Sequence, residues 1–331
     1  MISLHKLSGR RAGQWHPPAV SRRDSYQHYA KGVLTIRILI VGAGATGGAF
    51  GSLLQEAGRD ITYLVRQGRA EKLRAEGLRF VSPGIDRTHQ VHTITAGETA
   101  GQFDIVIVTV KATALESAIT DLRPYVGPET YILPFLNGMA HMDRLSEEFP
   151  GRVLGGLVKI VATLDGDTVR QLTELTTLTI GPLTGANVPE RVVETFDVPG
   201  IDLTVSTDIL GALWEKWAFI ASAGVITCLF RGPIGKILEA GGLPRITDAI
   251  NELESVAAKA GHPVSSQAHA QSVALLTEQG SAFTSSLYRD LTAGLPTEAE
   301  HILGDLAERA KQLDVNTPLL DLTLIQFRAG S

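Results

Sequence analysis

The chain has 331 residues, 44% of them hydrophobic and 20% charged, with a formal net charge of −5. That length exceeds one ordinary domain, and the acidic balance removes the bulk attraction to nucleic acid or to an anionic membrane that a basic protein would have. A lone cysteine, Cys228, can form no internal disulfide and has no metal-binding companions. Neither an oxidised scaffold nor a zinc site is therefore expected, and a cytoplasmic location fits.

Residues 1–35 carry Lys6, Arg10, Arg11, Arg22, Arg23 and Lys31 against the single acid Asp24, and hold no apolar run long enough for a signal-peptide core or a membrane span. They read as a basic, disordered extension. An Arg-rich leader also resembles an organelle transit peptide, although nothing here indicates an amphipathic helix. From Ile36 the pattern changes. Ile36 to Val41 reads as a buried strand, Thr46 to Ala57 as a helix of small residues stopped by Gly58, and Asp60 to Val65 as a second strand. Two further apolar strands follow, Phe103 to Ala112 and Thr130 to Gly138, with the helical "TALESAITDLRPYV" between them. Strands alternating with helices predict a parallel, doubly wound sheet.

Val153 to Pro182 is Thr-rich and strand-like, as in an extension of the sheet with antiparallel pairs. After Asp208 the strands stop, and Leu210 to Phe230, Leu243 to Ala260, Ser266 to Leu276 and Thr297 to Leu313 read as helices. The expected class is α/β: an N-terminal Rossmann doubly wound sheet over residues 36–205, followed by an all-α C-terminal domain over residues 206–331.

"GAGATG" places Gly42, Gly44 and Gly47 in the G-x-G-x-x-G spacing, after a strand and at the opening of a helix. Gly42 permits the tight turn, Gly44 lets the backbone approach a pyrophosphate, and Gly47 lets helix and strand pack closely. Ala45 closes the loop and Thr46 begins the helix, whose free N–H groups suit an anion. These five are candidate dinucleotide-binding residues. The end of the second strand carries Arg66, with Arg69 close behind, where an NAD site usually places an acid. A guanidinium pairs with a 2′-phosphate, so the expected cofactor is NADP(H). The stretch "LWEKWAFIASAG" sets Lys216 in an apolar run of helical spacing. Taken alone, it fits a lysine whose stem lies among apolar neighbours while its head reaches water.

Together, "ILIVGAGATGGAFGSLL", "YLVRQGR", "VTVKA", "LNGM", "LWEKW" and "TEAEHILGDL" occur in an order and spacing that resemble the ketopantoate reductase (2-dehydropantoate 2-reductase) family from about Ile36 to Phe327. The resemblance implies NADPH-dependent reduction of a branched 2-oxo acid in a cleft between a Rossmann and a helical domain. It implies that Lys216 is the catalytic lysine, protonating the alkoxide formed at the carbonyl. It also implies that Asn137 meets substrate and nicotinamide and that Lys111 lies near the cofactor. Ser286 would help hold the substrate carboxylate, and Glu298 would act with Lys216 on the substrate. The family pattern has asparagines four and eight residues after the lysine, where this chain has Ile220 and Gly224. A hydrocarbon in one place and empty space in the other imply weaker recognition of a substrate hydroxyl. The expected partner is thus a small 2-oxo acid, less hydroxylated or bulkier than ketopantoate. No metal, nucleic acid or membrane is expected, and the apolar helices could bury one another or a second copy in a homodimer. Alternatives are another NADP-dependent hydroxyacid dehydrogenase of this build, or a non-catalytic NADPH-binding sensor.

Overall fold

Short β-branched runs make the strands at the heart of the molecule. In the computed structural model, which describes residues 36–330, the first half contains β1 (Arg37–Val41), α1 (Ala45–Glu56), β2 (Asp60–Leu64), α2 (Gln67–Glu76), β3 (Leu78–Ser82) and β4 (Ile85–His89). It continues with β5 (His92–Ile94), β6 (Phe103–Val108), α3 (Leu115–Leu122), β7 (Val126–Pro134) and α4 (Ala140–Glu148). Then come β8 (Leu154–Asp165), β9 (Thr168–Pro182), α5 (Glu190–Phe196) and β10 (Asp202–Val205). The extension expected over residues 1–35 lies outside the described residues.

β5, β2, β1, β6 and β7 form, in that order, a sheet whose pairings are all parallel. The chain leaves β1 toward β2 and later returns on the other side of β1 to form β6. The order therefore reverses at β1, and the crevice beyond the carboxyl ends of β1 and β6 is the topological switch point where such sheets bind ligands. Along β1 the side chains alternate: Ile38 and Ile40 join one apolar core, Leu39 and Val41 another. Both faces of the sheet are thus covered, as a parallel sheet requires.

β8 and β9 do not extend this sheet. They pair antiparallel with each other and belong to a second sheet, ordered β10, β9, β3, β4, whose inner face packs with α1 against the first. The contact needs small residues on α1. A Cβ at Gly48 would press into Val169, and one at Gly51 into the ring of Tyr63. Helix propensity disfavours this glycine-rich segment, and packing overrides it.

After Val205 the described residues form helices: α6 (Ile209–Leu229), α7 (Ile234–Glu239), α8 (Leu243–Lys259), α9 (Ser266–Leu276), α10 (Ser286–Thr292), α11 (Asp305–Gln312) and α12 (Pro318–Ala329). α6 opens where the Asp208 carboxylate accepts the Gly211 N–H at 2.9 Å. It is long and apolar enough to cross a membrane by length and composition, yet 61% of its most apolar window is buried inside the protein. The helix expected over Thr297 to Leu313 is not uniform, since Glu300–Gly304 form a π-helical turn ahead of α11.

Candidate active site

The chain leaves β1 through Gly42, whose φ of +101° is open to glycine at little cost. Thr109, just past β6, shares its hydroxyl between the carbonyls of Val41 (3.0 Å) and Gly42 (2.9 Å), tying the two strand ends together. A Cβ at Gly47 would overlap both the Gly42 carbonyl and this hydroxyl. By contrast, no atom lies within 4 Å of the place a Cβ would take on Gly44. α1 has neither a side-chain cap nor an acid in its first turn, which leaves the N–H groups of Ala45, Thr46 and Gly47 free of side-chain partners. An open backbone approach at an uncapped helix start is what a pyrophosphate needs, so the residues present fit a dinucleotide.

Arg66 follows β2 as the residue before α2 and is exposed. Among the described residues its guanidinium makes no hydrogen bond or ion pair. Arg69 is committed elsewhere: it pairs with Asp167 at 2.6 Å and reaches the Ala43 carbonyl at 3.3 Å, bracing the glycine loop from outside. Lys111 is also exposed, 3.4 Å from Asp290 on α10.

Lys216 lies on α6, partly buried, with no hydrogen bond or ion pair among the described residues. Burial, and secondarily the Lys159 ammonium on β8, push its pKa down to about 8. Close to it stands His141 on α4, wholly buried, with neither ring nitrogen hydrogen-bonded to protein. Burial, then His301 and Lys216, push His141 down to about 3, so the ring is neutral at any ordinary pH. His301, in the π-helical turn, packs against it with ring centroids 5.6 Å apart. Burial lowers the His301 pKa as well, against the opposing influence of Glu298, Asp305 and the Asn137 backbone. Among the described residues Lys216 thus has no carboxylate paired with it.

Asn137 follows β7, partly buried, at the carboxyl edge of the sheet. Its neighbour Gly138, at φ +88°, packs so closely that a Cβ would lie 3.2 Å from the His301 carbonyl. Glu298 reaches across from the helical half, and its carboxylate accepts the Ala112 N–H at 2.8 Å, next to Lys111. Ser286 is the exposed first residue of α10. The cap of that helix is the preceding residue, Ser285, which is buried and hydrogen-bonded to Thr227 of α6 at 2.7 Å. The structure therefore brings Lys216, Asn137 and Glu298 to one neighbourhood through the two histidines.

The positions without amides differ from each other. Ile220 is partly buried and packs on the apolar core. The expectation of empty space beside Gly224 does not hold: that glycine is buried, and a Cβ on it would lie 3.0 Å from Leu287 Cδ1. Gly224 lets α10 approach α6 and so seats Ser286, rather than opening a hole. Ser222 turns inward and donates to the Ala218 carbonyl at 2.8 Å.

Four contributors were not foreseen: Thr109, His141, His301 and Lys159. Thr109 and the histidines carry no local signal, because their partners are distant in sequence. Lys159 does carry one, as a single charge inside the apolar strand "LGGLVKIVATL". It is the same anomaly that marks Lys216. Among the described residues no group of three or more His, Cys, Asp or Glu is placed to hold a metal ion.

Residues 38–185 match the family described as ketopantoate reductase PanE/ApbA, and residues 208–329 match its C-terminal region. An uncharacterized oxidoreductase, YkpB, of Bacillus subtilis (strain 168) is 37% identical over 293 residues, covering 86% of this chain and 96% of that protein. The 2-dehydropantoate 2-reductase of Pyrococcus horikoshii is 26% identical over 294 residues, covering 86% of this chain and 94% of the relative. The crystal structure of 2-dehydropantoate 2-reductase from Methylococcus capsulatus superimposes with a TM-score of 0.78 at 26% identity, covering 89% of this chain and 98% of the other. Through both matched regions, the first holding the glycine cradle and the second the lysine helix, the chain belongs to the ketopantoate reductase family of oxidoreductases.

Proposed function

We propose that the protein is an NADPH-dependent reductase that converts a 2-oxo acid to the 2-hydroxy acid, either 2-dehydropantoate to pantoate or a related branched substrate with fewer hydroxyls. The observation that carries this reading is Lys216, a partly buried ammonium without a carboxylate partner whose pKa is lowered to about 8. Gly42, Gly44, Ala45, Thr46 and Gly47 would hold the pyrophosphate, and the free Arg66 guanidinium would favour a 2′-phosphate. A reduced nicotinamide held there would supply the hydride that the carbonyl carbon of the substrate takes up. As the carbonyl oxygen takes on negative charge, the Lys216 ammonium stabilises it and donates its proton, leaving a neutral amine that solvent reprotonates. Asn137 and Ser286 present polar groups to the substrate. Glu298 shapes the loop after β6 by holding the Ala112 N–H and faces His301.

The substrate refinement rests on Ile220 and on the Gly224–Leu287 contact, because apolar walls offer a terminal hydroxyl no partner. The test is oxidation of NADPH and of NADH with ketopantoate and with hydroxyl-free branched 2-oxo acids, beside Lys216→Ala. Expected are faster turnover with NADPH, a preference for the hydroxyl-free acids, and a drop in kcat of roughly 10²- to 10⁴-fold in the variant with cofactor binding retained. Selective turnover of ketopantoate would overturn the substrate refinement, and no turnover of any 2-oxo acid would overturn the reductase reading.

A further inference from the structure

Two segments leave a shared contact and end at two lysines. A Cβ at Gly155 on β8 would run into Ile209, the first residue of α6. Two residues along β8, Leu157 lies in the same apolar core as Leu213, one turn along α6. Residues 155, 157 and 159 share one face of the strand, because side chains alternate, whereas Gly156 packs on Phe135 and Val158 joins the other core. Gly155 to Lys159 spans about 13 Å at strand rise, and Ile209 to Lys216 about 10 Å at helix rise. Both lysines therefore lie at a similar rise from the Gly155–Ile209 contact, Lys159 at an exposed position of β8. The influence of the Lys159 ammonium on Lys216 agrees with that placement.

Neither lysine has an ion-pair partner among the described residues, while Arg69, Lys72, Arg144 and Arg309 are all paired with carboxylates. An ammonium group that Lys159 influences, with no carboxylate paired with either lysine among the described residues, favours an anion there. Regular β8–β9 pairing also breaks between Ile160 and Ala162, immediately after Lys159, and such irregularities often aim a side chain into a site. The next turn of α6 presents Ile220, a hydrocarbon wall beyond the charged pair.

We propose that Lys159 is a substrate-binding residue that holds the carboxylate of a 2-oxo acid while Lys216 addresses its carbonyl oxygen, with Ile220 selecting an apolar side chain. This rests on the reductase reading for the identity of the ligand, and it assigns to β8 a specificity-determining charge. A 2-oxo acid carries carboxylate and carbonyl oxygen on adjacent carbons, so two neighbouring ammonium groups match its head. The tail then lies against Ile220.

The experiment is calorimetric titration of the full chain, saturated with NADP⁺ so that no reduction occurs, with 3-methyl-2-oxobutanoate and with its methyl ester. Wild type is compared with Lys159→Gln and Lys159→Arg. Expected are binding of the acid by wild type, a loss of about 10- to 100-fold in Lys159→Gln, and affinity within about threefold of wild type in Lys159→Arg. The ester should bind weakly and equally to all three. Undiminished acid binding in Lys159→Gln, an equal loss for acid and ester, or no binding of the acid by wild type would each overturn the proposal. Reduction of the same acid with NADPH is measured in parallel. Charge-dependent binding without turnover would leave the anion site standing and remove the reductase reading, whereas turnover with Lys159→Gln binding as wild type would do the reverse.

Discussion

A partly buried lysine with no paired carboxylate among the described residues has a kinetic signature. Burial is the main cause of the lowered Lys216 pKa, and Lys159 on β8 adds to it. His141 on α4 faces it as a neutral ring, and His301 and Glu298 lie beyond that ring. Reduction needs the ammonium, so kcat/KM should be level below a pH of about 8 and fall roughly tenfold per unit above it. In the oxidative direction the neutral amine is the active form, and the dependence should invert. Lys159→Gln removes a like charge and should move the limb to higher pH, whereas an unmoved limb would mean that burial alone sets the proton affinity. The glycines make a second pair of expectations. Gly47→Ala should lower stability by about 1–3 kcal/mol in chemical denaturation, because the new methyl group meets backbone. Gly44→Ala should leave the denaturation midpoint alone and weaken NADPH binding in a fluorescence titration, because its Cβ would enter only the open approach to the helix start.

Among the elements, the π-helical turn at Glu300–Gly304 is fastened to α6 by one bond: Trp217 Nε1 donates to the Ile302 carbonyl at 2.8 Å, buried. Trp217→Phe keeps most of the packing and strands that carbonyl, so a loss of about 1–3 kcal/mol in urea denaturation is expected. Activity should fall further than stability explains, because Glu298 and His301 flank the same carbonyl. The turn was not legible in the sequence, since Thr297 to Leu313 keeps an ordinary helical rhythm and one inserted residue leaves no mark in it. The β3–β4 hairpin was equally hidden: β4 is mostly exposed and charged, and its strands are fixed by pairing with each other and with β9. The glycine cradle was legible because backbone geometry alone demands glycine there. The parallel sheet was legible because strands buried on both faces read as unbroken apolar runs. His141 and His301 were not, because only the packing of α4 against the helical half makes them neighbours.

For the molecule as a whole, the decisive feature is that one apolar core runs from Val106 and Val108 of β6 through Leu213 and Trp217 to Leu306 and Leu324. Polar ties cross the same boundary: Lys111 with Asp290, Ala112 with Glu298, and Arg309 with Asp143. Sheet and helices should therefore unfold together, giving one calorimetric transition that NADPH at about a hundredfold its Kd raises by roughly 2.7 kcal/mol. Two separable transitions, with only the first half responding to cofactor, would mean that the shared core does not couple them. The Gly224–Leu287 contact also constrains how this pocket could change over generations. Asparagine at 224 would strike Leu287, and a smaller residue at 287 would leave a cavity against Gly224. Each single change is expected to lower stability in chemical denaturation, and the pair to lower it less than their sum. The contact therefore couples the two positions: an amide at 224 asks for a change at 287, and the two substitutions are expected to be tolerated better together than apart.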